Sequence, residues 1–189
     1  CYSPQAFYVE RGGQVSPRDW CDALAGELSA LQHRFPRPRP ELPDAMGLSS
    51  WVQTRAWGDS AHDYTVLGHE QDDWRILFSE HARDLAPGAL LRSVEVMGVD
   101  DLLEVPALIE PRRRWLQTVG VATSPERLME LATRLGEVGV TRVCALGHMT
   151  SPEAGWHHDG RFSLLDLIRL VEVEQSADVM SESWAPYRD

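Results

Sequence analysis

Thiols, imidazoles and one run of guanidiniums are the side chains here whose types and spacing could do chemistry. Cys1 stands first, followed by Tyr2-Ser3-Pro4 and a β-prone stretch, Gln5–Val9 (QAFYV), that Arg11-Gly12-Gly13 ends. A cysteine in a loop just ahead of a strand can act as a nucleophile through its thiolate. Three other readings stand beside that one: the lipidated first residue of a lipoprotein, a self-exposed N-terminal hydrolase nucleophile with its own α-amine as base, and an inert cysteine where a longer chain is cut. Taken alone, the residue favours the last. Cys144 lies in an apolar strand pattern and Cys21 in a helix beside Trp20, so both read as structural thiols. Three separated cysteines without a CxxC pair indicate neither a zinc knuckle nor a disulfide scaffold, and fit a reducing cytoplasm.

The segment GHMTSPEAGWHHDGR (Gly147–Arg161) is the most unusual in the chain. It follows a strand pattern, and loops at strand C-termini are where open α/β sheets carry their sites. His157, His158 and Asp159 are conceivable metal ligands, but adjacent residues rarely aim at one ion and no HExxH spacing occurs, so no metal is expected. Trp156 beside the glycines suggests a loop packed on something flat or on a neighbouring domain. His33, His62, His69 and His81 are scattered and read as surface residues, and Arg112-Arg113-Arg114 reads as a solvated face, with an anionic phosphate or coenzyme A contact as an alternative that nothing nearby in the sequence supports. Neither GxGxxG nor GxxxxGK[ST] occurs, so no phosphate cradle is visible.

The elements that must position these groups follow from pattern. Ser16-Pro17 starts a helix whose apolar face is Trp20, Leu24, Leu28, Leu31 and Phe35, spaced 4, 4, 3 and 4, and Pro36–Pro43 is a stiff, extended link. Asp44–Trp57 is ambiguous between a short helix and irregular chain. Tyr64–Leu67 and Trp74–Phe78 read as strands around the Gln71-Asp72-Asp73 turn. Then come a strand Val94–Val99, a helix Asp100–Glu110, a strand Trp115–Ala122, a helix opened by Ser124-Pro125 with Leu128, Leu131, Leu135 and Val138 inward, and a strand Thr141–Leu146. That βαβαβ run predicts a largely parallel sheet. A final helix is expected over Ser163–Val173. With 189 residues, 43% of them hydrophobic, the chain fits one domain with an ordinary core, and no internal repeat or dividing linker is visible. A net charge of −11 argues against nucleic acid, and no apolar run is long enough to span a membrane. All 18 basic residues are arginine, which excludes lysine Schiff-base and P-loop chemistry within the segment.

Together these blocks resemble the C-terminal portion of the LuxC-type acyl-CoA reductases, a branch of the aldehyde dehydrogenase superfamily. The resemblance starts at Cys1-Tyr2-Ser3-Pro4-Gln5, where that family has its nucleophilic cysteine. It continues through Trp115-Leu116-Gln117-Thr118-Val119-Gly120 and Gly139-Val140-Thr141-Arg142-Val143-Cys144, and ends in Gly155-Trp156-His157-His158-Asp159-Gly160-Arg161 and the leucine-rich stretch with Asp166-Leu167. Leu42–Gly88 matches least. The resemblance implies an α/β fold of three αβα layers around a largely parallel sheet, and a single catalytic domain, 1–189, excised from a longer bacterial, cytoplasmic chain. Its nucleotide-binding domain would lie upstream and hold most of an NADPH cofactor.

The implied reaction reduces a long-chain acyl-CoA or acyl-protein to a fatty aldehyde through an acyl-cysteine at Cys1. The implied assembly is a homo-oligomer with acyl-transferase partner subunits. Trp156, His157, His158 and Asp159 would then touch substrate or brace an interface. The superfamily's Glu-X-Phe-Gly-Pro motif is missing near Glu80–Gly88, so no cofactor residue is assigned. Two other readings remain: a non-catalytic interaction or oligomerisation domain, and a cysteine or metal-assisted hydrolase.

Overall fold

The computed structural model describes residues 4–57, 64–162, 164–184 and 186; Cys1 and His62 lie outside them. The chain divides into two compact units, Cys1–Pro152 and Glu153–Asp189.

In the first unit, Ala6–Glu10 forms strand β1 and Pro17–Arg34 helix α1. The cap is as expected: the Ser16 hydroxyl accepts from the Asp19 N–H at 3.1 Å, and Pro17 spends no hydrogen-bond donor at the first helical position. Trp20, Leu24 and Leu28 pack with fully buried Cys21 against the sheet, and Trp20 meets Phe7 with ring centroids 5.6 Å apart. Phe35 corrects the expected face. It is the helix C-cap, off helical geometry, and stands 57% exposed. The ambiguous region is helix α2, Leu42–Trp57.

Tyr64–Leu67 (β2) and Arg75–Ser79 (β3) pair antiparallel around the predicted turn. The Asp72 carboxylate closes that turn on the His69 N–H at 2.6 Å. Ser93–Val99 is β4, buried at all seven positions between β1 and β3, to both of which it runs parallel. A strand covered on both faces reads as a near-continuous apolar run, as VEVMGV does. Leu90, Leu91 and Arg92, just ahead of it, share φ between 52° and 59°, a left-handed turn that launches the strand.

The remaining strands, β5 (Thr118–Val121) and β6 (Arg142–Ala145), run parallel to each other in a separate two-stranded sheet. The mostly parallel α/β architecture is therefore as expected, but the βαβαβ run does not build one sheet. β1 and β3 already occupy both edges of β4, so no edge is left for β5. The helix expected over Asp100–Glu110 shrinks to α3, Val105–Ile109, between 3₁₀ turns at Leu102–Glu104 and Glu110–Trp115. Pro106 and Pro111 carry no N–H, and both fall where a longer helix would need one. Trp115 consequently ends a turn instead of starting a strand.

Helix α4 (Pro125–Glu137) crosses from β5 to β6, and its Leu131 and Leu135 join Val99, Val105, Ile109 and Val140 in a second core; Leu128 stays 38% exposed. Arg127 of α4 ties the two sheets' elements together, at 2.9 Å from Glu10 of β1 and 2.5 Å from Asp101.

In the second unit, 3₁₀ turns at His158–Gly160 and Leu165–Leu167 precede helix α5, Gln175–Trp184. The helix expected over Ser163–Val173 is absent: residues 168–174 are not helical. Ile168, Val171 and Val173 are β-branched and lower helix propensity. The leucines that were to form an inner face are exposed, Leu164 at 71% and Leu170 at 81%. So short a helix is marginal without tertiary packing.

Candidate functional site

The described chain leads into β1 from Pro4, next to the segment that holds Cys1. Gln5 anchors that lead-in twice. Its Oε1 accepts from the Gly88 N–H at 3.0 Å, and its backbone carbonyl accepts from the Glu95 N–H at 3.4 Å. The second contact places the start of β1 against the middle of the most buried strand, with Ala6 opposite Glu95.

Glu95 is the residue that sequence reasoning missed. It is 3% exposed, and its Oε1 lies 2.8 Å from Nε of Arg55 on α2. Burial raises its carboxyl pKa above the ordinary range, while Arg55 and then Arg83 pull it back. Tyr8, on the same sheet face, donates to the Arg83 carbonyl at 3.0 Å. Its phenol is also pushed up, mainly by burial and then by the charges of Glu95 and Asp84. The signal was available: a lone charge inside an apolar strand must be paired if that strand is central.

The other thiols are placed as structural. Cys21 is fully buried, and desolvation pushes its thiol up to about 11, against thiolate formation. Cys144 sits half-buried in β6 with its sulfur 3.8 Å from the Val119 carbonyl.

The four loop residues singled out from the sequence lie together in the second unit. Half-buried Trp156 donates its backbone N–H to the Glu153 carbonyl at 3.2 Å, and its ring stands 4.9 Å from that of His158. His158 Nδ1 is 3.0 Å from Asp159 Oδ2, while the His157 ring packs edge-on to Phe162 at 4.5 Å. The two adjacent imidazoles thus have different partners. Asp159 takes φ 54°, which tightens the turn. His–Asp pairing of this kind can hold an imidazole in one tautomer or carry a proton. Among the described residues, no three His, Cys, Asp or Glu side chains gather where they could hold a metal. Among the same residues, no helix is long and apolar enough to cross a membrane.

Residues 1–170 match the sequence model of a family described as acyl-CoA reductase (LuxC). No curated protein matches the chain.

Proposed function

The chain belongs to the acyl-CoA reductase (LuxC) family, and from that premise we propose that it is the catalytic part of an NADPH-dependent reductase. Its substrates in this reading are long-chain acyl-CoA or acyl-protein thioesters and its product a fatty aldehyde. The proposal extends to a bacterial, cytoplasmic homo-oligomer served by acyl-transferase partners.

The step assigned to this chain is thioester exchange. The Cys1 thiolate adds to the thioester carbonyl, a new C–S bond forms, and the old one breaks with coenzyme A leaving as its thiolate. One thioester replaces another, so the exchange is close to thermoneutral, and a thiol suits it better than a hydroxyl. NADPH would supply the hydride that takes the acyl group to the aldehyde. The chain has no glycine-rich phosphate turn that fits a dinucleotide, so cofactor binding is assigned to sequence outside it. Trp156, His157, His158 and Asp159 are assigned to substrate contact or to an interface.

The single observation that carries this reading is the extent of the family match, from Cys1 through the Trp-His-His-Asp-Gly loop. The test uses the full-length protein, given acyl-CoA without NADPH. A hydroxylamine-labile acyl group should accumulate on Cys1 and vanish in Cys1→Ala. Equal acylation of Cys1→Ala would remove the nucleophile assignment.

A second reading, as an interaction or oligomerisation module, is favoured by one feature. Phe162, Leu164, Leu167, Leu170, Val171 and Val173 are each more than 60% exposed within a single stretch of twelve residues.

A further inference from the structure

Arg112, Arg113, Arg114 and Trp115 are consecutive, yet their surroundings differ. Arg112 is half-buried and its Nε donates to the Leu85 carbonyl at 3.2 Å. Arg113 and Arg114 are exposed and make no side-chain ion pair or hydrogen bond among the described residues. That is unusual company in a chain with 29 acidic residues. Beside them Trp115 stands 76% exposed, so a large aromatic surface is left in water.

The backbone beneath is fixed. Gly139, at φ +107°, lies so close that a Cβ there would stand 2.9 Å from the Arg113 carbonyl oxygen. Two residues past Trp115, the Gln117 carbonyl accepts from the N–H groups of Thr141 and Arg142 at 3.0 and 2.9 Å.

Two exposed guanidiniums and an exposed indole on consecutive residues of one turn carry the groups that a phosphorylated purine needs. Arginine forks bind phosphate oxygens bidentately, and a base stacks on the aromatic ring. We propose that Arg113, Arg114 and Trp115 dock the 3′-phosphoadenosine end of coenzyme A, with adenine on Trp115 and phosphates on the two arginines. This rests on the reading above, that the chain handles acyl-CoA thioesters. Leu85 holds Arg112, and Gly88, three residues on, holds Gln5 at the head of β1. Arg112, next to the proposed platform, and Gln5 at the start of β1 are therefore both tied to one short segment. The 2′-phosphoadenosine end of NADPH presents the same chemistry, and the test separates the two.

The full-length enzyme, Arg113→Gln/Arg114→Gln and Trp115→Ala are titrated calorimetrically with 3′,5′-ADP and with 2′,5′-ADP. Steady-state rates are measured with acyl-CoA and with the acyl-pantetheine thioester, which lacks the nucleotide. Losing the paired phosphate contacts or the stack should weaken 3′,5′-ADP binding about tenfold and raise KM for acyl-CoA to match, with kcat unchanged. The pantetheine substrate should not respond, which a general structural defect would not allow. An unchanged KM for acyl-CoA, an equal effect on the pantetheine substrate, or a preference for 2′,5′-ADP with a raised KM for NADPH overturns the assignment. So does an effect confined to acyl-protein substrates, which would make the patch a protein-docking surface. If the enzyme turns over no acyl-CoA, the functional reading fails, while 3′,5′-ADP binding still decides the site.

Discussion

Residues 93–99 and residues 164–173 are both rich in large aliphatic side chains, and they end in opposite states. The first run is β4, buried at every position; in the second, every residue whose burial is described is exposed. Hydrophobicity alone does not bury a segment. β4 has a strand on each side and a layer of side chains on each face, from Cys21, Trp74 and Ile76 on one and from Val105, Leu131 and Leu135 toward the other. The second run has a leucine pattern and nothing of that kind within its own unit.

The comparison breaks most readily under truncation. Leu135→Ala should cost ~2–5 kcal/mol of unfolding free energy, whereas Leu170→Ala should fall within about 0.5 kcal/mol of wild type. Urea melts of the two variants decide it, and a comparable loss at both positions would show that the second run is packed after all.

Next in size is the one carboxylate that β4 buries. Arg55→Met leaves Glu95 without its nearest cation, and breaking a buried pair in this way costs about 3 kcal/mol. Adding Glu95→Gln should return much of that loss. If the double variant is as unstable as the single, the pair does not couple α2 to the strand.

The smallest effect is a slope with pH. The folded pKa of Glu95 is raised above its ordinary 4.5, so at pH values between 4.5 and the folded value the native state holds a proton that the unfolded chain has released. The contribution of this group is fully present below 4.5 and is lost as pH rises through the folded value. Glu95→Gln removes that dependence. The stability of wild type relative to Glu95→Gln should therefore fall as pH rises through that window, and a rising difference would reverse the assignment of burial as the dominant cause.

Where local chemistry suffices, the sequence is legible. Ser16-Pro17 sets the α1 cap, the Gln71–Asp73 turn sets the β2–β3 hairpin, and Ser124-Pro125 opens α4. What fails depends on neighbours far away in sequence. Nothing local tells that β1 takes the edge of β4 that a simple βαβ reading gives to β5, or that Phe35 and Leu128 lie outside their helix's covered stripe. The site divides in the same way. The loop residues Trp156 to Asp159 are visible as an unusual composition, whereas Glu95 becomes conspicuous only when both faces of its strand are known to be covered. The strand expected from Trp115 starts later, and the exposure of this residue follows from the proline-broken turn that precedes β5.

The register of β1 has a consequence in time. Ala6 pairs with Glu95, and at typical synthesis rates the ribosome needs on the order of 5–20 s to make the residues between them. For that interval the newly made QAFYV stretch lacks β4, the one strand it pairs with among the described residues. β1 is therefore made before the other strands of its sheet and must wait for β4 before it can pair. A chaperone or an upstream segment that holds this stretch during translation would act on the residues that follow Cys1.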